Sequence, residues 1–570
     1  MLLFAVLVLA LVAIWLSWAR PKEADMAAYA PANSLLYLEA NRPLAVFETI
    51  GGTDGWKALE KVMGTPPSAP SSHLLQGFLA WTGIGPAQSV ILARAQVAVV
   101  VTDLGTTEAG DTLKVKSEGA ILVETHTSEA RIKPQFEQAL KTLAEKTYGH
   151  PTARRITIDG VEFSEWIAPE GSRQIVGTVA GTLLIIGTSE RVVQECLAVS
   201  QGRRPSLKDD SELPQMRRRL QANSALSFGY VPPGNSARLL AVGIPLLLGR
   251  APGDSEFQRL ITNGAAKIFG SVGWSSRGYL TGIEDRYLIN LQPSVVARLK
   301  PNFRPAGAAS RMERVVPSDV YSVTSYRFAD PAAAWLSLKT AVSSQVDALS
   351  TIVFSSLLKS ALLSYGIDDP ETFLGAVNGD LLTLRLDENA DRSILVAGVR
   401  DRARLRELLI KKMRVNPRIG DEQHAEVFED SAGDLAAGLS DELVVMGAPI
   451  DVRRYTESRA TASILSPDKL KQLTFFATAS SAANVVTYTN DESRIHNFLA
   501  AIITAKGTRA TAATGIDEPI SELPYAVTET SLGERGLERT TRSPLGQFST
   551  LLPLLIPEQP VSMKDGNHSK

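Results

Sequence analysis

Cysteine is nearly absent from this chain: 570 residues contain one, Cys196. A single thiol excludes an intrachain disulfide, a zinc knuckle and a C-x-x-C redox pair. Cys196 sits beside Val192, Val193 and Leu197 in a helical pattern, and reads as a small buried apolar residue. One cysteine also suits an exported chain that avoids mispairing. Histidine is scarce as well. None of His73, His126, His150, His424, His496 and His568 stands at ligand spacing from another along the chain, so no metal site is expected. His126 and His150 flank one helix and could approach one another in space.

Catalytic signatures are missing in the same way. The chain has no G-x-S-x-G elbow, H-E-x-x-H pair, P-loop or G-x-G-x-x-G. Asp368 and Asp369 precede Pro370, and Asp380 precedes an apolar run, so capping and turn roles account for them. Gly51, Gly52 and Gly55 lie between helical stretches and lack the strand-to-helix context of a phosphate cradle. No catalytic residue, cofactor-binding residue or metal ligand is assigned, and no cofactor is expected.

Charge of either sign is not in excess. With 59 basic and 61 acidic residues the net charge is −2, so no whole-protein field draws nucleic acid. The dense basic run Arg217, Arg218, Arg219 follows Asp209, Asp210 and Glu212, and reads as a solvated helix face, not as an anion or lipid headgroup site.

Long apolar runs are limited to one. Residues 2–19 hold a single polar side chain, Ser17, and no charge. As a helix the run spans ~27 Å, close to the ~30 Å hydrocarbon core of a bilayer. Eleven of its positions are Leu, Ile, Val or Phe, each favouring insertion by about 0.3–0.6 kcal/mol. A single-pass anchor in the inner (cytoplasmic) membrane is expected. Ser17 and Ala19 also form a small-x-small site, which leaves signal cleavage open. Arg20 and Lys22 follow the run and alone would hold the large domain in the cytoplasm, but Glu23 and Asp25 blunt that bias. The large domain is expected to be periplasmic or extracellular.

What the sequence does have is an internal echo. At this length more than one core is needed, and 44% hydrophobic with 21% charged residues is a globular composition. Residues 31–299 are matched in order by 317–555. Pro43 matches Pro331 as the first residue of a helix. Gly83 and Gly366 match as helix terminators, and Ile121, Leu122, Val123 match Ile394, Leu395, Val396. A helix with Ser128 as cap and a stripe of Ile132, Phe136, Leu140 and Leu143 matches one with Asp401 as cap and Leu405, Leu408, Leu409 and Met413. Short strands at 155–158, 161–166, 174–179 and 183–186 are joined by turn residues such as Asp159, Gly160 and Ala180, Gly181. Return strands are placed at 225–231 and 474–479, and Arg277, Gly278 match Arg535, Gly536 as hairpin turns.

Strands mixed with helices, without regular βαβ alternation, give an α+β class: an N-terminal transmembrane helix, then two tandem homologous domains of mainly antiparallel sheet with packed helices. The expected organisation is an anchor and short linker at 1–26, repeats at 27–300 and 317–557, a linker at 301–316, and a disordered tail at 558–570.

Pro31, Ala32, Asn33 leading to a strand, Asn41, Arg42, Pro43, and Arg535, Gly536, Leu537 followed by Ser543, Pro544, Leu545, Gly546 together resemble a bacterial family of membrane-anchored, exported proteins of unknown function. The first copy departs from the pattern, with Gln292, Pro293, Ser294 in place of the Ser-Pro-Leu-Gly ending. The resemblance implies an envelope location and carries no site residues. The reading is a non-enzymatic cell-envelope protein, tethered to the membrane by its N-terminal helix, that binds an envelope protein or ligand between its repeats. The alternatives are an envelope hydrolase or transferase with a site invisible as a motif, and a carrier or sensor of a lipidic ligand.

Overall fold

The structure is a computed structural model that describes residues 23–57, 91, 94–109, 112–158, 160–247, 255–305, 316–317, 320–387, 393–415, 426–460, 482–492, 494–495, 523 and 525–549. The apolar run 2–19, the glycine at 83, the expected strand 474–479, the linker from 306 to 315 and the tail lie outside the described residues. Among the described residues no helix is long and apolar enough to cross a membrane.

Among the described residues twenty strands form one antiparallel sheet. The first ten are β1 Leu36–Ala40, β2 Gln96–Ala109, β3 Thr112–Glu124, β4 Thr152–Ile158, β5 Val161–Ile167, β6 Gln174–Ala180, β7 Leu183–Gly187, β8 Ser227–Val231, β9 Phe269–Tyr279 and β10 Gly282–Leu291. The last ten are β11 Ser322–Arg327, β12 Val377–Arg385, β13 Ile394–Val399, β14 Met413–Val415, β15 Glu426–Asp430, β16 Ala436–Leu439, β17 Leu443–Gly447, β18 Val485–Thr489, β19 Ala526–Leu532 and β20 Gly536–Ser543.

From one edge the pairing runs β4, β5, β6, β7, β3, β2, β1, β8, β9, β10. It crosses from β10 to β20 and continues β19, β18, β11, β12, β13, β17, β16, β15, β14. Each strand of the first series therefore lies as far from the crossing as the strand ten places later in the chain. At the crossing, Arg286 is register partner of Thr540, and each is the fifth residue of its strand. A local two-fold axis thus passes between equivalent positions of β10 and β20.

Both faces of the sheet are covered, which explains why several strands are continuous apolar runs and not alternating ones. In the first series Leu122 and Ile185 face a core shared with Val192, Val193 and Cys196 of α3 (the third helix, Glu190–Ser200), and Val123 and Leu184 face Ile132, Phe136 and Leu140 of α2 (Glu129–Tyr148). Earlier in the chain, α1 is Pro43–Gly52. The second series repeats the arrangement. Leu395 and Val444 face Leu405 and Leu409 of the helix Arg402–Ile410, while Val396 and Val445 face Val452 and Tyr455 of Pro449–Ala460.

Several details differ from the sequence expectation. The α2 stripe ends on buried Ala144, with Leu143 only half-buried, because four-residue steps from Ile132 reach 144. Ser128 has extended N-cap geometry but its side chain makes no cap hydrogen bond, whereas Asp401 accepts one from the Arg404 amide at 3.0 Å. Asp380 is no turn residue: it lies within β12, opposite Arg327. Arg277 and Gly278 lie within β9, because the hairpin turns later, at Leu280 and Thr281, where Leu280 takes a positive φ of 48°. The strand that occupies the position equivalent to β8 is β18, at Val485–Thr489.

Candidate functional site at the crossing of β10 and β20

Strand alternation sends neighbouring residues to opposite faces, and at the crossing it separates two adjacent acids. Glu284 points to one face and Asp285 to the other, and each is 1% exposed.

On the first face Glu284 meets three guanidinium groups. Arg277 lies opposite on β9, with Nε at 2.8 Å; Arg286 is two residues on, at 2.7 Å; Arg542 lies opposite on β20, at 2.9 Å. Arg542 also reaches Glu529 at 3.1 Å and stacks over the Tyr279 ring at 5.2 Å. Burial works against ionisation of Glu284, but the hydrogen bonds from Arg542 and Arg286 and the nearby positive charge outweigh it and hold its carboxyl below the usual value. The charged cluster is a joint between the two series, since Arg542 belongs to the second and Glu284 to the first.

The same face carries α4 (Leu213–Arg219), and here the expected solvated arginine run is corrected. Arg217 donates to Asp25 at 2.9 Å and to buried Glu39 at 2.8 Å, and Glu39 also accepts from Tyr37 at 2.6 Å. Arg219 donates to Asn290 at 3.0 Å and to Glu538 of β20 at 2.9 Å. Helical periodicity explains this: Leu213 and Met216 are buried beneath the helix, so Arg217, four residues after Leu213, and Arg219, three after Met216, are carried to the sheet. Ser271 donates to Glu212, and Ser275 donates to the Leu220 carbonyl at 2.9 Å.

On the opposite face residues 543–549 strap across the crossing. Asp285 accepts from the Ser276 hydroxyl and, at 2.8 Å, from the Gln547 amide, while Gln547 Nε2 donates to Ser276. The strap turns at Gly546, whose φ is +62° and whose missing side chain leaves room for Ile283. Leu545 and Phe548 are buried. Burial pushes the Asp285 carboxyl up to about 6, against the pull of its Ser276 and Gln547 donors.

Asp285 also stands in a row of hydroxyls that crosses eight strands. Register partners in sequence are Ser227, Ser276, Asp285, Thr541, Thr528, Thr487, Thr324 and Thr383. Thr528 and Thr541 hydrogen-bond at 2.9 Å, and Thr324 and Thr487 at 3.0 Å. Members lie up to some 300 residues apart in the chain, so no sequence window shows the row; the β-branched, hydroxyl-bearing character of each strand was the one available signal.

The described residues among the others weighed in the sequence do not gather here, and His73, His424, His496 and His568 lie outside the described residues. Cys196 is buried in the first core, its thiol pushed up to about 12 by burial. His126 takes a positive φ of 53° and its amide donates to Glu124 at 3.0 Å. Among the described residues no three His, Cys, Asp or Glu side chains are grouped to hold a metal ion. Asp369 caps its helix, accepting from the Thr372 amide at 3.1 Å. Chemically, the crossing offers one acid held ionised and one inclined to hold a proton, both occupied by protein donors. No protein-family model, curated protein or solved structure matches this chain.

Proposed function

We propose that this chain is a non-enzymatic protein of the cell envelope, anchored by residues 2–19, whose two homologous α+β copies are fused edge to edge at β10 and β20 into one platform for binding a partner. The mirrored strand order carries this reading, because gene duplication followed by edge pairing gives equivalent strands at the join without special arrangement. The matched prolines Pro43 and Pro331, each at a helix start, support it. So does the resemblance to exported, membrane-anchored proteins.

The line between the copies is a strand ladder filled by the Glu284 cluster and closed by the strap. That geometry suits a rigid joint, and it leaves partner binding to the surfaces on either side. Asp285 has the proton affinity of a general acid, but at 1% exposure with its oxygens engaged by Ser276 and Gln547 it reaches no substrate.

The test is a C-terminally tagged full chain in cells converted to spheroplasts. Digestion by added protease while the spheroplasts are intact is expected; protection until lysis would overturn the envelope location. Turnover of an envelope substrate by the purified chain, abolished by Asp285→Asn without unfolding, would overturn the non-enzymatic part.

A further inference from the structure

The sheet has an open end in the first series. Strand β4 pairs with β5 on one side, and among the described residues no strand pairs with its other edge. Residues 152–155 are exposed throughout. An edge of this kind presents alternate N–H and C=O groups outward, and natural sheets ordinarily cap or guard it.

Here the edge borders a groove. Helix α2 overhangs β4 and presents Pro134, Glu137 and Lys141, one helical turn apart, towards Ala153 and Arg155; buried Trp166 of β5 forms the floor. The cleft has a volume of about 600 Å³. It stays open because Ala153 projects only a methyl group where the helix passes over.

The charge along this edge is arranged asymmetrically, with Arg155 on the face that α2 covers and Arg154, its neighbour in the strand, on the other. Strand β4 carries Arg154 and Arg155 and no acidic residue. Arg154 pairs with Glu165 at 2.8 Å, yet its side chain is 57% exposed and that of Glu165 is 4% exposed. Arg155 pairs with Glu137 at 2.9 Å and Glu162 at 3.3 Å, and it is 66% exposed against their 26% and 33%. The carboxylates paired with the two arginines are recessed and the guanidinium groups stand outward, with donors free to turn to an incoming acid, while on the helix side of the groove Glu145 is matched by Lys141 at 3.9 Å.

We propose that the groove between α2 and β4 docks an acidic, extended segment of a partner protein, which adds to the sheet beyond β4. Main-chain hydrogen bonds to the free edge would hold the segment, and two consecutive acidic side chains would select it, one meeting Arg155 on the groove face and one meeting Arg154 on the other. A second copy of this chain is disfavoured, since antiparallel pairing of two β4 strands brings arginine pairs against one another. This goes beyond the proposed function by naming the partner's chemistry, and it does not depend on the compartment: a chain shown to be cytoplasmic would lose the envelope reading and keep the groove.

The test uses the full chain in detergent micelles and a fluorescein-labelled peptide, Thr-Val-Glu-Glu-Val-Thr-Val, whose adjacent acids project one to each face, read by fluorescence anisotropy. Saturable binding is expected, with protection of β4 amides against hydrogen exchange. Arg154→Gln with Arg155→Gln is expected to weaken it about tenfold, as two exposed charge pairs allow. Ala153→Trp fills the groove from an exposed position and is expected to abolish binding while leaving the melting temperature near that of the parent chain. A peptide methylated on alternate backbone nitrogens is expected not to bind. Equal binding of the methylated peptide, or of one with Lys for Glu, would overturn the proposal, as would no binding at all, which would leave the arginines as guards of the edge. Concentration-dependent dimers that protect β4 without peptide would overturn it in favour of self-pairing.

Discussion

Glu284 and Asp285 are consecutive, equally buried and opposite in behaviour. The first is surrounded by guanidinium groups from β9, β10 and β20 and is held ionised. The second lies under the strap, receives hydroxyl and amide donors, feels Arg494 only at a distance, and has its value raised to about 6. Burial costs both; what differs is whether a formal positive charge shares the face. The pair teaches that the two sides of the join do different jobs, an ionic clamp on one and a covered, nearly neutral row on the other.

The largest effect should come from breaking the clamp. Arg542→Ala removes the cation shared between Glu284 and Glu529 and leaves Glu284 with Arg277 and Arg286. A loss of about 3 kcal/mol is expected, at the low end for uncovering a buried charge because two partners remain. Urea unfolding of the full chain measures it, and a loss below about 1 kcal/mol would show that the cluster is not a joint.

Next comes the pH dependence, where the two acids act with opposite sign. For Asp285 the folded value is about 6 against the ordinary 3.8, so the folded state binds the proton more tightly. Its contribution is fully present below about 3.8 and is lost as pH rises through about 6, a change of about 3 kcal/mol. Glu284 has a depressed folded value, so its contribution is present above the ordinary 4.5 and is lost as pH falls through that lower value. Unfolding measured from about pH 2 to 8 should show that Asp285→Asn removes the decline between about 4 and 6. Glu284→Gln should remove the acid-side loss and leave the decline. Identical slopes in the parent chain and Asp285→Asn would sink the contrast.

The strap is the third point of attack. A methyl at Gly546 would overlap Ile283 and come within 3.0 Å of an Asp285 oxygen, on a backbone already at φ +62°. Gly546→Ala is expected to cost about 1–3 kcal/mol and to free the strap first. Early exchange of the Gln547 amide, with β10 still protected, is the signature that would separate a loosened strap from global unfolding.

How much of this could be read from the chain depends on distance in sequence. Helix starts at Pro43 and Pro331, the apolar stripe of α2 and the burial of Cys196 are set by neighbours within a turn or two, and each was legible. The α+β class and the antiparallel pairing followed from the mixture of short strands and turn residues. The arginine run at 217–219 reads as solvated in the sequence because its acidic neighbours there are not its partners: Arg217 finds Asp25 and Glu39, and Arg219 finds Glu538. The two Arg-Gly dipeptides are alike in sequence but differ in place, one lying inside β9 and one at the start of β20, so the first does not mark its hairpin turn. The roles of Glu284, Asp285 and the hydroxyl row are not visible in the sequence, since register alone brings their partners to them and register is a tertiary property.

The smallest expected effect tests whether the covered face holds anything by its hydroxyls. Thr528 and Thr541 are half-buried and bonded to one another at 2.9 Å, with Thr541 directly opposite Asp285. Replacing one by valine keeps the shape and leaves the other hydroxyl without its partner, so each single change should cost about 1 kcal/mol. Replacing both removes the unpaired group along with the bond and should cost less than the two singles together, a coupling of about 0.5–1 kcal/mol in a double-mutant cycle. If the same cycle run on Glu284 and Arg542 gives a coupling several times larger, the clamp and the row differ in kind. Equal couplings would mean that the two faces hold the join alike, and the contrast between the adjacent acids would then reflect their own protonation and nothing wider.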